Sequence, residues 1–215
     1  MKLLITVGPT REPIDPVRFL SNRSSGKMGF ALAEAAAARG HRVTLISGPV
    51  ALQTPKAVRV VRVVTAAEML TAVKLQLKKC DALIMAAAVA DWTPARIAKR
   101  KMKKGGAQRL TLVLKPTADI LKTIAPLKGK KIFVGFAAET HNVTAEAKRK
   151  LREKNLDLII ANDVTAPGAG FEIETNRVTI IDAWSTEELP LLSKRAVAEH
   201  ILARVENRWR AGANQ

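Results

Sequence analysis

The sequence predicts an α/β fold: a Rossmann-like, mostly parallel sheet with helices on both faces. Three observations predict it. Short apolar runs alternate with stretches of helical period along most of the chain, which is the pattern of repeated strand–helix–strand units. The run "DALIMAAAVADW" (81–92) is apolar almost throughout, as a strand covered on both faces must be. The chain has 215 residues, of which 47% are apolar, enough for one substantial domain with a packed core.

The elements follow in order. "LLITV" (3–7) is the first strand, and "GPTREPIDPVRFLSNRSSGKMG" (8–29) leaves it as a long loop. "GKMGFALAEAAAARG" (26–40) is a helix that Ser24 or Ser25 can cap and Gly40 ends. "HRVTLIS" (41–47) and "VRVVRVV" (58–64) are the next two strands. "AAEMLTAVKLQLKKC" (66–80) is an amphipathic helix with Met69, Val73 and Leu77 on one stripe. Residues 81–92 form the fourth strand. A basic, glycine-ended loop "TPARIAKRKMKKGGAQ" (93–108) interrupts the rhythm, followed by the strand "RLTLVLK" (109–115) and the capped helix "TADILKTIAPL" (117–127). Then come the strand "KIFVGFAAE" (131–139), the helix "AEAKRKLREKN" (145–155) and the strand "LDLIIAND" (156–163). "FEIETNRVTIIDA" (171–183) is a late hairpin excursion turning at Thr175–Asn176, and a final helix runs from Lys194 to about Arg208. No repeat or linker divides the chain, so residues 1–215 are one domain.

Ligands in such sheets bind beyond the carboxyl ends of the strands. Gly8, Asp91, Glu139, Asn162 and Asp163 stand there. A P-loop is excluded, because Met28 follows Gly26-Lys27 and Ser21 occupies the first glycine position. The dinucleotide fingerprint is absent too. Only Gly8 follows the first strand, Gly26 and Gly29 come much later, and no acidic residue ends the second strand. "SSGKMG" (24–29) still places small residues and Lys27 at a helix N-terminus, either as an anion site or as a helix cap with a closely packed glycine. Ala86, Ala87 and Ala88 before Asp91 let a ligand lie against main chain, or let a helix pack close. "KRKMKK" (99–104) is a solvated basic loop or a lid whose lysine reaches a polyphosphate. Lys150 and Lys154 share one face of a predicted helix. No Cys/His cluster has metal-ligand spacing, and no nucleophile elbow appears.

The net charge of +17 directs the chain toward anionic partners. Aromatic residues are only 4%, with no Tyr, so a base-stacking surface for single strands is poorly supplied. Phosphorylated small molecules are therefore expected rather than nucleic acid. An NAD(P)-dependent oxidoreductase is the competing reading of the sheet pattern. No apolar run is long enough to span a membrane, no secretory signal opens the chain, and the lone Cys80 fits a reducing cytoplasm.

Five segments in order, "GPTREPIDPVRFLSNRSSGKMGFALA", "AAAVADW", "KMKK", "GFAAET" and "NLDLIIANDV", resemble the phosphopantothenoylcysteine synthetase family, the ligases of coenzyme A biosynthesis. The resemblance covers the chain to about Asp182. In many bacteria this family forms the C-terminal half of a bifunctional protein. The flavin-dependent decarboxylase half has no counterpart here, so no flavin is expected, and a decarboxylase domain or chain is an expected partner. The resemblance implies that CTP activates 4′-phosphopantothenate as an acyl-cytidylate, releasing pyrophosphate, and that the cysteine amine then displaces CMP. By position, Asn22 matches the catalytic asparagine, Arg18 a functional arginine one turn away if the segment is helical, and Lys101 the lid lysine. Ser24, Ser25, Gly26 and Lys27 belong to the anion-binding turn, Gly8 at the end of the first strand is a further nucleotide-binding position, and Ala86, Ala87 and Ala88 belong to the cytosine contact. Asp91 contacts the nucleotide, on the ribose or through magnesium. Lys115, Pro116, Thr117 and Ala118 match a nucleotide-contacting turn, although "KPTA" departs from the family's Asn-Pro. Phe136 packs against the base, and Lys150 and Lys154 contact CTP. The resemblance also implies a homodimer, with the 171–183 strands as its elements.

Overall fold

The computed structural model of the chain describes residues 1–104, 108–139, 142–163, 170 and 172–213. Its centre is an eight-stranded sheet. The strands are β1 (Lys2–Val7), β2 (Arg42–Ser47), β3 (Val58–Arg62), β4 (Ala82–Met85), β5 (Ile132–Glu139), β6 (Leu158–Asp163), β7 (Val178–Ile181) and β8 (Thr186–Glu188). In space they lie in the order β8-β7-β6-β5-β4-β1-β2-β3. β1 to β6 pair in parallel, and β7 and β8 add antiparallel. The chain builds outward from β1 to β3, then returns and builds the other way from β4. Thr6 pairs with Met85 at the end of the β1–β4 ladder. This reversal opens a crevice beyond the carboxyl ends of β1 and β4.

Successive strand side chains point to opposite faces, and the helices cover both. α1 (Lys27–Ala38) and α5 (Lys194–Ala213) bury one face, where Leu3, Ile5, Val7, Ile84, Val134 and Ile160 meet Leu32, Ala35, Val197 and Ile201. α2 (Ala66–Leu77), α3 (Ile120–Ile124) and α4 (Val143–Glu153) cover the other, where Leu4, Leu83, Phe133 and Ile159 meet Met69, Val73, Ile124 and Leu151. Met69, Val73 and Leu77 form the buried stripe of α2, as its period predicts.

Four expectations need correction. The fourth strand is short: β4 ends at Met85, and beyond it only Ala88 still pairs, in a single parallel bridge with Pro9. The strand expected at 109–115 is reduced to Leu114–Pro116, paired only with Trp92–Pro94 in a two-stranded ribbon. No strand of the main sheet accepts it, and Leu110 and Val113 stay exposed. The helix expected from Thr117 starts at Ile120, because the Asp119 side chain accepts the Lys122 N–H and caps it there. Thr175–Asn176 is not a turn but a short strand against Leu192–Ser193. The hairpin turns instead between β7 and β8, where Asp182 Oδ1 accepts the N–H groups of Trp184 and Ser185. Val178, Ile180 and Ile181 of β7 are buried in the chain's own core. Parts of the expected segments, among them Gly105, Thr140, His141 and Phe171, lie outside the described residues.

Candidate nucleotide-binding and active site

Glycine geometry shapes the crevice. Gly8 leaves β1 with φ +77° and Gly26 opens α1 with φ +83°, conformations that side-chain-bearing residues rarely adopt. A Cβ on Gly29 would stand 2.6 Å from Val7 Cγ2, so its bareness lets α1 press onto β1. Gly8 and Gly26 thus permit two turns in the left-handed region, and Gly29 permits the close helix–strand contact. Residues 9–25 are inserted between the first and second of them. Gly26, rather than Ser24 or Ser25, stands at the N-cap of α1 and has no side chain with which to cap it. Ser24 Oγ instead accepts the Gly26 N–H at 3.3 Å.

The inserted loop is anchored rather than free. Arg11–Pro13 and Phe19–Ser21 pair as a hairpin, and the buried Glu12 carboxylate accepts the Ala66 N–H at 2.8 Å, at the positive end of α2. Arg11 lies 4.5 Å from the Phe19 ring centre. Phe19–Ser21 is extended, so Arg18 and Asn22 flank a strand and are not one helical turn apart.

Residues 86–91 are wired to this loop and to β1. The N–H groups of Ala86, Ala87 and Ala88 donate to Thr6 O, Thr6 Oγ1 and Gly8 O. Ala90 N–H donates to Thr10 Oγ1 at 3.0 Å, and Asn22 Nδ2 donates to the carbonyls of Ala88 and Val89. Thr117 closes the set: its hydroxyl donates to Ala90 O at 2.6 Å and its N–H to Asp91 O at 2.9 Å. The alanine N–H groups are therefore committed inside the protein. The sequence carries no signal for Thr6 or Thr10: a threonine in an apolar run, as Thr6 is, reads only as a strand former, and Thr10 reads as an ordinary loop residue.

The cations are placed unequally. Arg18 Nη2 bonds the Asp15 carboxylate at 2.6 Å and the Met102 carbonyl. Lys101 is exposed, with no hydrogen bond or ion pair among the described residues. Lys27 turns away from the helix start: its ammonium donates to Glu172 O at 2.8 Å and pairs with the Glu174 carboxylate. Beside it the buried Lys194 donates to Gly170 O and Ile173 O, and burial, then the charge of Lys27, pushes its pKa down. Lys154, just past α4, pairs with Asp119 at 2.9 Å. Burial opposes ionisation of Asp119, but the Lys122 N–H and Lys154 outweigh it and lower its pKa. Lys150 lies half-buried on α4. Lys115 and Pro116 stand exposed in the ribbon and Ala118 beyond it, while Phe136 on β5 is half-buried against the α1 side of the core.

The structure thus gathers Gly8, Asn22, Ser24, Gly26, Ala86, Ala87, Ala88, Asp91 and Thr117 around the crevice. Arg18 joins them to the Lys101 loop. At the end of β6, Asn162 is buried and its Oδ1 has no hydrogen-bond partner among the described residues. No group of three acidic, His or Cys side chains able to hold a metal occurs among the described residues. Asp91 is a single exposed carboxylate, which fits an ion held mostly by phosphates and water.

The model of the DNA/pantothenate metabolism flavoprotein C-terminal domain matches residues 1–208. The chain is 52% identical over 207 residues to the coenzyme A biosynthesis bifunctional protein CoaBC of Bacillus subtilis (strain 168), covering 94% of this chain and 50% of that protein. It is 46% identical over 212 residues to CoaBC of Escherichia coli (strain K12), covering 97% of this chain and 52% of that protein. It spans about half the length of these curated relatives. The crystal structure of a CoaBC C-terminal domain is similar, with a TM-score of 0.84 at 44% identity over 98% of this chain and 96% of that one. A model match over nearly the whole chain and relatives this similar agree with the five sequence segments, and the chain belongs to the family of DNA/pantothenate metabolism flavoprotein C-terminal domains.

Proposed function

We propose that the chain is a CTP-dependent phosphopantothenate–cysteine ligase of coenzyme A biosynthesis. One observation carries this reading beyond family membership. The switch-point crevice joins a rigid alanine segment, an exposed carboxylate and the loop of Lys101. Such a site suits a reaction in which both nucleophiles belong to substrates and the protein supplies position and charge.

In the first step, the 4′-phosphopantothenate carboxylate attacks the α-phosphorus of CTP, and the bond to the β-phosphate oxygen breaks, releasing pyrophosphate. Lys101 meets the triphosphate charge as it shifts to the leaving group. Ala86, Ala87 and Ala88, fixed by Thr6 and Gly8, present the wall on which cytosine rests. The open N–H groups at the start of α1 face an anionic substrate group. Asp91 would hold a magnesium ion arriving with CTP, and that ion would supply neutralisation of the phosphate charge. In the second step, the cysteine amine attacks the acyl carbon, loses its proton and displaces CMP. Asn22, beside the alanine segment, is the donor for the developing acyl oxygen.

No flavin enters this reaction, and a decarboxylase partner would supply the flavin chemistry separately. Among the described residues no helix is long and apolar enough to cross a membrane. Exposed Trp92, Leu110 and Val113 on and beside the ribbon support a homodimer formed there. The test is direct: incubate the protein with magnesium, 4′-phosphopantothenate, cysteine and either CTP or ATP, and measure pyrophosphate and phosphopantothenoylcysteine. Absence of both products with either nucleotide overturns the reading.

A further inference from the structure

We propose that Asp15 is a positioning residue for Lys101, anchoring the basic loop through the main chain of Met102. The Asp15 side chain is fully buried, and it sits in the loop that enters the Phe19–Ser21 strand. Its two oxygens do different work. Oδ1 closes the local turn, accepting the N–H groups of Val17 at 2.8 Å and Arg18 at 2.9 Å. Oδ2 faces outward from that turn, accepting Arg18 Nε at 3.0 Å, Arg18 Nη2 at 2.6 Å and the Met102 N–H at 3.0 Å. The last bond joins residues 87 apart in sequence.

Met102 is held at both of its main-chain groups. Asp15 takes its N–H, and the Arg18 guanidinium takes its carbonyl. A second main-chain bond, Ala98 N–H to Ile14 O at 2.9 Å, joins the same two loops. Residues 99–104 carry five cations around Met102, and like charges this dense repel one another and favour an open loop. A buried carboxylate at their midpoint opposes that repulsion and fixes one residue between Lys101 and Lys103. The Met102 N–H, against burial, and then the Val17 and Arg18 donors hold the Asp15 carboxyl well below the usual carboxylate range, so the anchor stays charged in neutral and mildly acidic solution. Without it, the loop is ordered only when nucleotide binds, and the cost falls on binding.

The consequence for catalysis rests on the ligase reading; the anchoring itself does not. The full chain, wild type and Asp15→Asn, is exposed to dilute trypsin, and cleavage after Lys101, Lys103 and Lys104 is followed by mass spectrometry. Pyrophosphate release is measured at varied CTP. Asp15→Asn should be cleaved about fivefold or more faster in this loop, since proteolysis reads local opening. It should raise KM for CTP more than it lowers kcat. The double variant Asp15→Asn/Lys101→Ala should be no worse than Lys101→Ala alone. Met102→Pro removes the N–H that the loop contributes, while also fixing φ at 102 and restricting Lys101, and it answers the same question, by cleavage after Lys103 and Lys104, if Asp15→Asn does not fold. Unchanged cleavage in the folded variants, or losses that multiply in the double variant, overturns the proposal. If the wild type releases no pyrophosphate, the ligase reading falls while the cleavage rates still decide the anchor.

Discussion

The side-chain nitrogen of Asn22 lies 3.0 Å from the carbonyl oxygen of Ala88, across 66 residues of sequence. The neighbouring carbonyl of Val89 is 3.2 Å away. Both groups are acceptors, so the amide must turn its nitrogen, not its oxygen, toward them. Asn22 therefore ties the long loop after β1 to the alanine segment after β4. In the proposed reaction it reaches the acyl oxygen by exchanging one of these bonds.

Asn22→Asp sets a carboxylate against two carbonyl oxygens. We predict that it still forms acyl-cytidylate and releases pyrophosphate in a single turnover, but transfers the acyl group to cysteine ~10²–10³-fold more slowly, the usual loss for one oxyanion donor. KM for CTP should rise as well, because the alanine segment is untied. Rapid quench with mass spectrometry follows the intermediate. Consumption at the wild-type rate removes the oxyanion role, and an unchanged KM removes the role of the tie.

Lys101→Ala deletes a cation that no other described side chain engages. We predict a loss of roughly 1.5–3 kcal/mol in kcat/KM for pyrophosphate release, the size of one charge-assisted contact. The melting temperature should not move. Wild-type turnover would return residues 99–104 to a solvated loop.

CTP should be turned over faster than ATP at sub-saturating concentration, by about tenfold, or ~1.4 kcal/mol. The alanine segment is held by Thr6, Gly8, Thr10 and Asn22, so it does not yield to the larger base. Equal rates with the two nucleotides would refute this.

Gly29→Ala forces a methyl to within 2.6 Å of Val7 Cγ2. Overpacking of this kind costs roughly 1–3 kcal/mol. Val7→Ala makes room, so the double variant should lose less than the two single losses combined. Denaturant unfolding of the four proteins measures it, and strict additivity would mean that the two groups do not meet.

Asp182 Oδ1 accepts the N–H groups of Trp184 and Ser185, and Oδ2 lies 3.3 Å from Arg204. Burial opposes its ionisation, but these partners prevail and lower its pKa from the ordinary 3.8. A folded-state value below the unfolded one gives stability that is present above the unfolded value and lost as pH falls through the folded one. Wild type should therefore lose stability below about pH 4 more steeply than Asp182→Asn, as read by urea unfolding over that range. Parallel curves would count against the turn's electrostatic role.

The sequence by itself determined the order of elements and the mostly parallel sheet. Apolar runs with alternating helical periods have few ways to bury both faces, and the doubly wound sheet is the one they allow. It also determined the family, through five ordered segments that need no coordinates to be compared. Only the tertiary structure decided where strands stop and which donors are already engaged. Ala86–Ala90 reads as more strand, but past Gly8, with φ +77°, only the single Pro9–Ala88 bridge continues the pairing. Thr175–Asn176 reads as a turn, but Leu192–Ser193 returns to pair with it. Lys27, Arg18 and Lys154 read alike as cations for an anionic ligand, yet each already holds a carboxylate, on Glu174, Asp15 and Asp119, whereas Lys101 holds none. Local pattern reports what a residue can do over a few neighbours. Its partner is set by which distant strand ends the sheet order brings together, as with Lys27 and Glu174, 147 residues apart.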